Sequence, residues 1–495
     1  MKEKPYLILT FLFLGISSVF AQKTYQPTRE SIDSRSAAPL KDDFAGASTV
    51  ENAACNWTGA LWLQGNDNYP YQLFRREFEI KKVPEKVLFH IYANEFYRLH
   101  INGRYVGDGP RRGIPSVYRS YRVDNLLHAG SNVISVETYI RTEYGKGFYM
   151  SVGEAQIACV LEDVEGKITM LRSEAGGWTN APGTAWMEKA ARSTGWSPSE
   201  IYDIRKEQIG WRLQGFKGSG WKPAWALLGE AINPDDFEAD PAKPVARSFL
   251  PASRLVSIND AISKTNPEPC NNIFKYLTEE RWEDMTSSKI RAVEALLDPR
   301  KGSVIVDRFS QDSDTARRSP TVTLDFGRQI NGNFYIDAEG NDGAIIDIGY
   351  AEALFDGRVT NHKLTAEWAG GYHADRAILR SGRQTWESFH WEGIRYVQLT
   401  FRIRSQPLII HRFGVIERDP PLPNRGRFLC SDPEVNELWA GTERTLRATT
   451  QDMFMDNVFR EKGAWQGDGI TSAIRTCCVL TGNIPILRHN IRQFT

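Results

Sequence analysis

The sequence lacks an excess of charge of either sign. Its 495 residues include 61 Lys and Arg residues and 61 Asp and Glu residues, so the formal net charge is zero. A protein that holds nucleic acid through a basic surface needs a different composition, and we therefore expect no nucleic-acid partner. Disorder is excluded as the main state, because 41% of the residues are hydrophobic and 25% are charged, as in globular chains with buried cores.

Cysteine is also scarce, with six residues in the whole chain. So few cysteines in so long a chain indicate isolated buried thiols rather than a disulfide scaffold. The sequence has no C-x-x-C pair and no group of histidines at ligand spacing, so it predicts neither a metal site nor a cofactor. Four acidic residues could hold calcium, although a turn with solvated carboxylates is the favoured interpretation: Asp337, Glu339, Asp342 and Asp347.

One long apolar run stands out, at the N-terminus. It extends from Tyr6 to Phe20 and follows the basic residues Lys2 and Lys4. A run of this length is short for a membrane span, which needs about 20 residues, and is typical of a signal peptide. We therefore predict a signal peptide over residues 1–21, no membrane span, and an exported protein that is periplasmic or secreted.

The first part of the mature chain is strand-like. Residues 22–54 are rich in Ser, Asp, Ala and Pro and are predicted to be a linker. Residues 55–162 contain short runs of β-branched and aromatic residues separated by turn residues, which indicates an antiparallel β-sandwich. Within them, Asn102 and Gly103 lie between two such runs and predict a tight hairpin.

Two further β-rich or irregular regions follow. Residues 163–245 hold many tryptophans among Gly and Pro and are predicted to be a connector. Residues 246–424 again contain runs typical of strands, which predicts a second β-sandwich.

The pattern changes to helical spacing over residues 425–495. Ser431 and Glu434 have the spacing of a capping box, with Pro433 in the first turn. Apolar residues then recur at helical intervals. Two more helical patterns follow, at 469–480 and 484–494, so we predict the beginning of an all-α domain.

One segment of this α region concentrates chemically active side chains. Between Asp456 and Asp468 lie three carboxylates, an arginine and a tryptophan, in the connection between two predicted helices. A glycosidase cleft needs such a set: a carboxylic acid for the leaving oxygen, carboxylates for the sugar hydroxyls, and an aromatic wall. The alternative, which composition alone favours, is a solvated polar loop.

The same segment resembles the signature of glycoside hydrolase family 78, in which variants of D-x-P-x-R-E-x-x-G-W-x-G-D recur. Upstream segments are similar to the ancillary domains of that family and occur in the family order, among them Ile101-Asn102-Gly103, Gly349-Tyr350-Ala351-Glu352, Gly393-Ile394-Arg395-Tyr396 and Cys430-Ser431-Asp432. The resemblance implies an inverting α-L-rhamnosidase that acts on a rhamnose-containing glycan or glycoside. The implied fold class is a multidomain β + α chain, with N-terminal β-sandwich modules followed by the start of an (α/α)6 six-hairpin barrel.

The resemblance also implies roles for individual residues. Glu461 falls on the general acid of the family. Asp456, Arg460, Trp465 and Asp468 fall on positions that line the rhamnose subsite, where the charged residues hold hydroxyl groups and the indole stacks on the sugar. We expect Asp456 to be ionised, because it serves in binding rather than in proton transfer.

No residue of this sequence can be matched to the second carboxylate that an inverting site needs. Inversion needs a general base roughly 6.5–9.5 Å from the acid, and in the family this residue comes from a later part of the barrel. The expectation is therefore that the base lies beyond residue 495 and that this chain alone is inactive. Glu352 belongs to a strand pattern and is interpreted as structural. The alternative class is a non-catalytic carbohydrate-binding protein, either a degenerate or a truncated paralogue.

Overall fold

The computed structural model describes most of the chain between residues 50 and 492. The described ranges are 50–51, 53–94, 96–109, 116–140, 154–165, 167–190, 199–240, 244–263, 270–283, 286–309, 318–359, 373–403, 405–423, 425–459, 461–482 and 484–492. The predicted signal peptide and most of the predicted linker lie outside these ranges, as does Arg460.

The N-terminal part of the described chain is built from short strands. In chain order they are β1 (Val50–Glu51), β2 (Leu61–Gln64), β3 (Tyr71–Ile80), β4 (Val87–Ala93), β5 (Phe96–Ile101), β6 (Arg104–Gly109), β7 (Ser116–Arg122), β8 (Gly130–Tyr139), β9 (Gln156–Asp163), β10 (Thr169–Arg172), β11 (Thr179–Pro182), β12 (Ile201–Asp203), β13 (Lys222–Pro223), β14 (Trp225–Ala231) and β15 (Phe237–Ala239).

These strands form two sheets that share one core. Within the described ranges, one sheet has the order β1-β7-β4-β9-β2-β14, with β10 beside β9 and β15 beside β7, and the other has the order β13-β11-β3-β8-β5-β6. Alternate side chains of both sheets meet in a common apolar core, for example Phe89 of β4 and Phe74 of β3, both fully buried. The expected sandwich is confirmed, and so is its hairpin: Asn102 and Gly103 have φ of 51° and 77° between β5 and β6.

The predicted connector contributes strands to both halves of the molecule. Strands β10, β11, β13, β14 and β15 join the two N-terminal sheets, whereas β12 pairs in parallel with a strand of the next sheet. The tryptophans of this region differ in exposure: Trp178 and Trp211 are buried, whereas Trp225 is 61% exposed. The boundaries at 163 and 245 stay a prediction.

The next sheet is organised about one long strand. Its own strands are β16 (Ala246–Leu250), β17 (Arg254–Ile262), β18 (Arg281–Glu283), β19 (Ile290–Arg291), β20 (Val304–Val306), β21 (Arg318–Gly340), β22 (Ile345–Ala351), β23 (Ala374–Ile378), β24 (Gly382–Glu387), β25 (Glu392–Arg402) and β26 (Leu408–Asp419). In the part of the chain that the structure describes, β21 pairs with β17, β24, β25 and β26, and the sheet has the order β12-β23-β22-β25-β21-β26-β20-β19 along its main path.

The four acidic residues considered for calcium differ in their environment: Asp342 is exposed in a turn, whereas Asp347 is not solvated. Asp347 on β22 is fully buried, and Arg376 and Arg402 each donate to it through Nε, at 2.5 and 2.6 Å. Asp337 instead pairs with Arg383 at 2.8 Å. The expectation of solvated carboxylates is therefore wrong for Asp347, because two buried guanidinium groups compensate its charge.

Helices are few among the described residues. Apart from short 3-10 turns, they are α1 (Ile273–Glu279), α2 (Pro433–Ala448), α3 (Gln466–Asp468), a π-helical turn (Gly469–Ile474), α4 (Arg475–Leu480) and α5 (Pro485–Arg492). Helix α2 begins where the sequence predicts it, but its N-cap is Asp432, whose carboxylate accepts from the Glu434 N–H at 2.9 Å. The predicted cap Ser431 is wrong by one residue, because Pro433 occupies the first helical position and places Asp432 at the cap.

The α elements after residue 425 pack on one another through a small core of their own, which includes Leu446, Phe454 and Leu480. Their assignment as the start of an (α/α)6 barrel stays a prediction. None of the described helices is long and apolar enough to cross a membrane. The six cysteines are free, and of these Cys159 and Cys477 are buried.

Candidate functional site

The segment that the sequence singles out is a loop between α2 and α3 that closes on itself. The Asp456 N–H donates to the carbonyl oxygen of Gly463 at 2.9 Å, and the Gly463 N–H donates back to Oδ1 of Asp456 at 2.8 Å. Inside the loop, Oδ1 of Asn457 accepts from the N–H groups of Phe459 and Glu461, both at 3.2 Å. Side chains thus satisfy backbone groups that a helix or strand would otherwise pair, and they fix the position of Glu461.

A buried lysine fastens this loop to the β-sheet. Lys462 is 1% exposed and has a positive φ of 50°. Its Nζ donates to Oε2 of Glu392 at 2.6 Å and to the carbonyl oxygen of Trp391 at 2.7 Å, and it lies 4.5 Å from the centre of the Trp391 ring. The residue that follows the candidate acid is therefore held by the start of β25.

Apolar contacts complete the attachment. Val458 is buried against Trp391, and a Cβ on Gly393 would lie 2.6 Å from its Cγ2 and 2.7 Å from its carbonyl oxygen. The aromatic ring of Phe459 stacks on that of His373 at 3.6 Å. Val458 stands where the family signature has Pro, and here its side chain serves packing against the sheet.

Glu461 and Trp465 are in direct contact. The indole Nε1–H of Trp465 donates to Oε2 of Glu461 at 2.6 Å, and both side chains are partly exposed. The carboxyl group therefore lies at the surface of the loop with one oxygen oriented by the indole. This arrangement leaves the acid accessible to a ligand and places an aromatic side chain beside it.

The pKa of the Asp456 carboxyl group is shifted by its surroundings. Burial raises its pKa to about 6, against the opposing effect of backbone N–H groups of Gly463 and Asn457; the charges of Glu461 and Asp468 raise it further. Asp468 itself is exposed on α3. The expectation that Asp456 is ionised therefore holds only above about pH 6.

The structure thus brings Asp456, Glu461 and Trp465 into one loop, with Asp468 near enough to act on Asp456 through its charge. Arg460 lies outside the described residues. Glu352, interpreted as structural, is exposed directly after β22.

Sequence reasoning missed a group of buried carboxylates next to the loop. Glu200 accepts hydrogen bonds from the Trp186 indole at 2.9 Å and from the Phe389 N–H at 2.7 Å, and burial raises its pKa to about 7. The Glu200 N–H in turn donates to Oδ1 of Asp375 at 2.8 Å. Burial, with the charges of Glu392 and Glu200, raises the pKa of Asp375 well above its usual range. No spacing along the chain links these residues, and long-range pairing alone brings them together.

The second β region of the chain matches a known family model. The family model described as "Bacterial alpha-L-rhamnosidase concanavalin-like domain" matches residues 315–414, which include β21 to β25. No curated protein sequence matches the chain significantly.

Solved rhamnosidases share the fold. A rhamnosidase of glycoside hydrolase family 78 from Bacillus sp. GL1 matches 88% of this chain with a TM-score of 0.69 and 18% identity. An α-L-rhamnosidase from Aspergillus terreus matches 83% with a TM-score of 0.56 and 21% identity. The Streptomyces avermitilis α-L-rhamnosidase, solved in complex with L-rhamnose, matches 85% with a TM-score of 0.53 and 18% identity.

The resemblance to glycoside hydrolase family 78 is therefore confirmed by a family match in the second β region and by the fold of most of the chain. The chain covers 62%, 42% and 35% of the lengths of the three solved enzymes, in the order given.

Proposed function

We propose that this protein acts on terminal α-L-rhamnosyl residues of glycosides or polysaccharides, as an inverting glycoside hydrolase with Glu461 as general acid. The observation that carries the proposal is the loop 456–468, in which a partly exposed carboxyl group is hydrogen-bonded to an indole beside two further carboxylates. The Streptomyces enzyme with the same fold was solved with L-rhamnose bound, which makes this sugar the first ligand to test.

Each side chain of the loop has a task in the proposal. Glu461 protonates the glycosidic oxygen as the bond to the sugar breaks. Trp465 orients one oxygen of that carboxyl group and offers its ring to the apolar face of the sugar. Asp456, Arg460 and Asp468 hold hydroxyl groups of the sugar.

The proposal also includes export of the protein, with Gln22 as the first residue of the mature chain. Mass spectrometry of the natural protein tests this directly.

The second carboxylate of the proposed mechanism must activate water on the opposite face of the sugar. We assign this role to no residue of the loop: Asp456 and Asp468 lie on the same segment as the acid, and their proposed contacts are to the bound sugar. Glu352 is not proposed either, because it lies at the end of a sheet strand.

A binding experiment tests the rhamnose subsite. L-Rhamnose is titrated calorimetrically into the purified protein and into two tryptophan variants. We expect Trp465→Ala to abolish binding, because it removes both the stacking ring and the donor to Glu461. The matched control is Trp225→Ala, which removes an exposed indole from the first sandwich and should leave binding unchanged.

The second candidate function, a non-catalytic carbohydrate-binding protein, predicts a different result. Sugar would then bind to a sandwich surface, so affinity would survive Trp465→Ala. Equal affinity of the wild-type protein for L-rhamnose and D-glucose would also contradict the proposed subsite.

A further inference from the structure

Two buried polar side chains meet on one face of the first sheet. In the pairing of β4 with β9, His90 lies opposite Val160 and Leu88 lies opposite Glu162. His90 and Glu162 are therefore diagonal neighbours on the same face of the sheet. Their side chains are 0% and 2% exposed, and Nε2 of His90 lies 3.3 Å from Oε1 of Glu162.

A thiol from the segment before β2 joins this pair. Cys55, His90 and Glu162 each place one ligand atom within 4.8 Å of the others. The segment that carries Cys55 is tied to the sheet on both sides of it: the Asn56 N–H donates to Oε1 of Glu162 at 3.0 Å, and the Tyr118 hydroxyl donates to the Ala53 carbonyl oxygen at 3.0 Å.

Two atoms at this point are buried and lack a hydrogen-bond partner. Among the described residues, neither Nε2 of His90 nor Oε2 of Glu162 has one. Buried polar groups without a partner are rare in native proteins and call for a water or an ion. The other ring nitrogen of His90, Nδ1, lies 2.7 Å from Oγ of Ser120. In the tautomer that donates from Nδ1 to Ser120, Nε2 carries the electron pair, as it does in histidines that bind metal ions.

We propose that Cys55, His90 and Glu162 form a binding site for a divalent transition-metal ion, of which zinc is the type that suits the ligands. Zinc accepts thiolate sulfur, imidazole nitrogen and carboxylate oxygen in tetrahedral geometry. Ligand atoms around such an ion are roughly 3.3–3.7 Å apart. The His90–Glu162 distance already fits, and a small inward shift of the partly exposed Cys55 closes the triangle. Water fills the fourth position.

The ion has a structural task in this proposal. It joins the segment that enters the first sandwich to two adjacent central strands, β4 and β9. The fold at this point then depends on the metal, because the three ligands come from distant parts of the chain. The distance along the sequence also explains why spacing patterns do not reveal the site.

Cobalt(II) is the probe for the experiment. The protein is stripped with a chelator under a phosphine reductant and titrated with Co²⁺, whose bond to a thiolate produces a charge-transfer absorption in the near ultraviolet. We expect saturation at one Co²⁺ per chain and loss of the absorption when Zn²⁺ displaces the cobalt. Zn²⁺ should also raise the Tm of the stripped protein.

Three variants make the assignment specific. Cys55→Ser should abolish the charge-transfer absorption while the stripped variant keeps the Tm of the stripped wild type. Cys270→Ser, which changes a free cysteine of similar exposure, should leave the spectrum unchanged. Ser120→Ala should weaken cobalt binding about 10–100-fold, as expected for a residue that orients a ligand. Absence of the absorption in the wild type, or its persistence in Cys55→Ser, would overturn the proposal.

Discussion

The attachment of the candidate loop by Lys462 gives a prediction with a defined magnitude. Replacing Lys462 with Met keeps the length of the side chain but removes its charge and its bonds to Glu392 and to the Trp391 carbonyl. Glu392, 3% exposed, would then remain as a buried carboxylate without its cationic partner. Breaking a buried ion pair in this way costs about 3–5 kcal/mol of the free energy of unfolding.

The neighbouring carboxylates add a pH dependence to this cost. The positive charge of Lys462 lowers the pKa of Asp375, against the charges of Glu392 and Glu200 that raise it. Without the lysine, Asp375 can avoid repulsion from these charges only by binding a proton. The loss of stability in Lys462→Met should therefore be larger at pH 8 than at pH 5.

Urea unfolding followed by tryptophan fluorescence measures the effect in a double-mutant cycle. Lys462→Met and Glu392→Gln should each destabilise the protein, and the double variant should be more stable than the sum of the two losses predicts. The control is Lys167→Met, which removes an exposed pair with Glu165 and should change stability by less than about 1 kcal/mol. Strict additivity of Lys462→Met and Glu392→Gln would refute the reasoning.

Two further predictions concern the same loop. Burial raises the pKa of Asp456 to about 6. The protonated side chain therefore contributes to the free energy of unfolding at pH values below the ordinary pKa of a carboxyl group, and this contribution is lost as the pH rises to about 6. In calorimetric titrations the affinity for L-rhamnose should increase as the pH rises to about 6, because the Asp456 carboxylate forms over this range. Asp456→Asn should remove this pH-dependent increase in affinity, and the control Asp468→Asn should keep it. An increase that survives Asp456→Asn would contradict the assignment. Gly393→Ala should lower the free energy of unfolding by about 1–3 kcal/mol, because the new Cβ meets the Val458 backbone at 2.7 Å. The control Gly441→Ala, in the middle of helix α2 where a Cβ has space, should instead stabilise the protein by up to about 1 kcal/mol. If Gly441→Ala lowered the free energy of unfolding as much as Gly393→Ala, the contact with Val458 would be unimportant.

Features set by neighbouring residues could be predicted from the sequence. The turn at Asn102 and Gly103 needs positive φ at two successive residues, and these residue types tolerate it at little cost. Helix α2 was predicted from apolar spacing and from Pro433 in its first turn, and only the identity of the cap was wrong. The loop 456–468 was found because its charged and aromatic residues are adjacent in the chain.

Features set by long-range packing could not be predicted. The connector looked irregular because its strands are short, yet β11 pairs with β3 more than a hundred residues earlier in the chain. Lys462 looked like an ordinary charged loop residue, because its partner Glu392 lies on strand β25, 70 residues earlier in the chain. The shifted pKa of Asp456 likewise depends on how deeply the folded loop buries it.

The general-acid role of Glu461 is the central claim, and its dependence on the leaving group is the most direct test. In the natural gene product, kcat/KM is measured for Glu461→Ala and Asp456→Ala on a natural α-L-rhamnoside and on a nitrophenyl α-L-rhamnoside. A nitrophenolate leaves without protonation, so Glu461→Ala should lose roughly 10²–10⁴-fold on the natural substrate and far less on the activated one. Asp456→Ala should slow both substrates by the same factor, because its contacts are to the sugar. Equal losses on both substrates in Glu461→Ala would contradict the general-acid assignment.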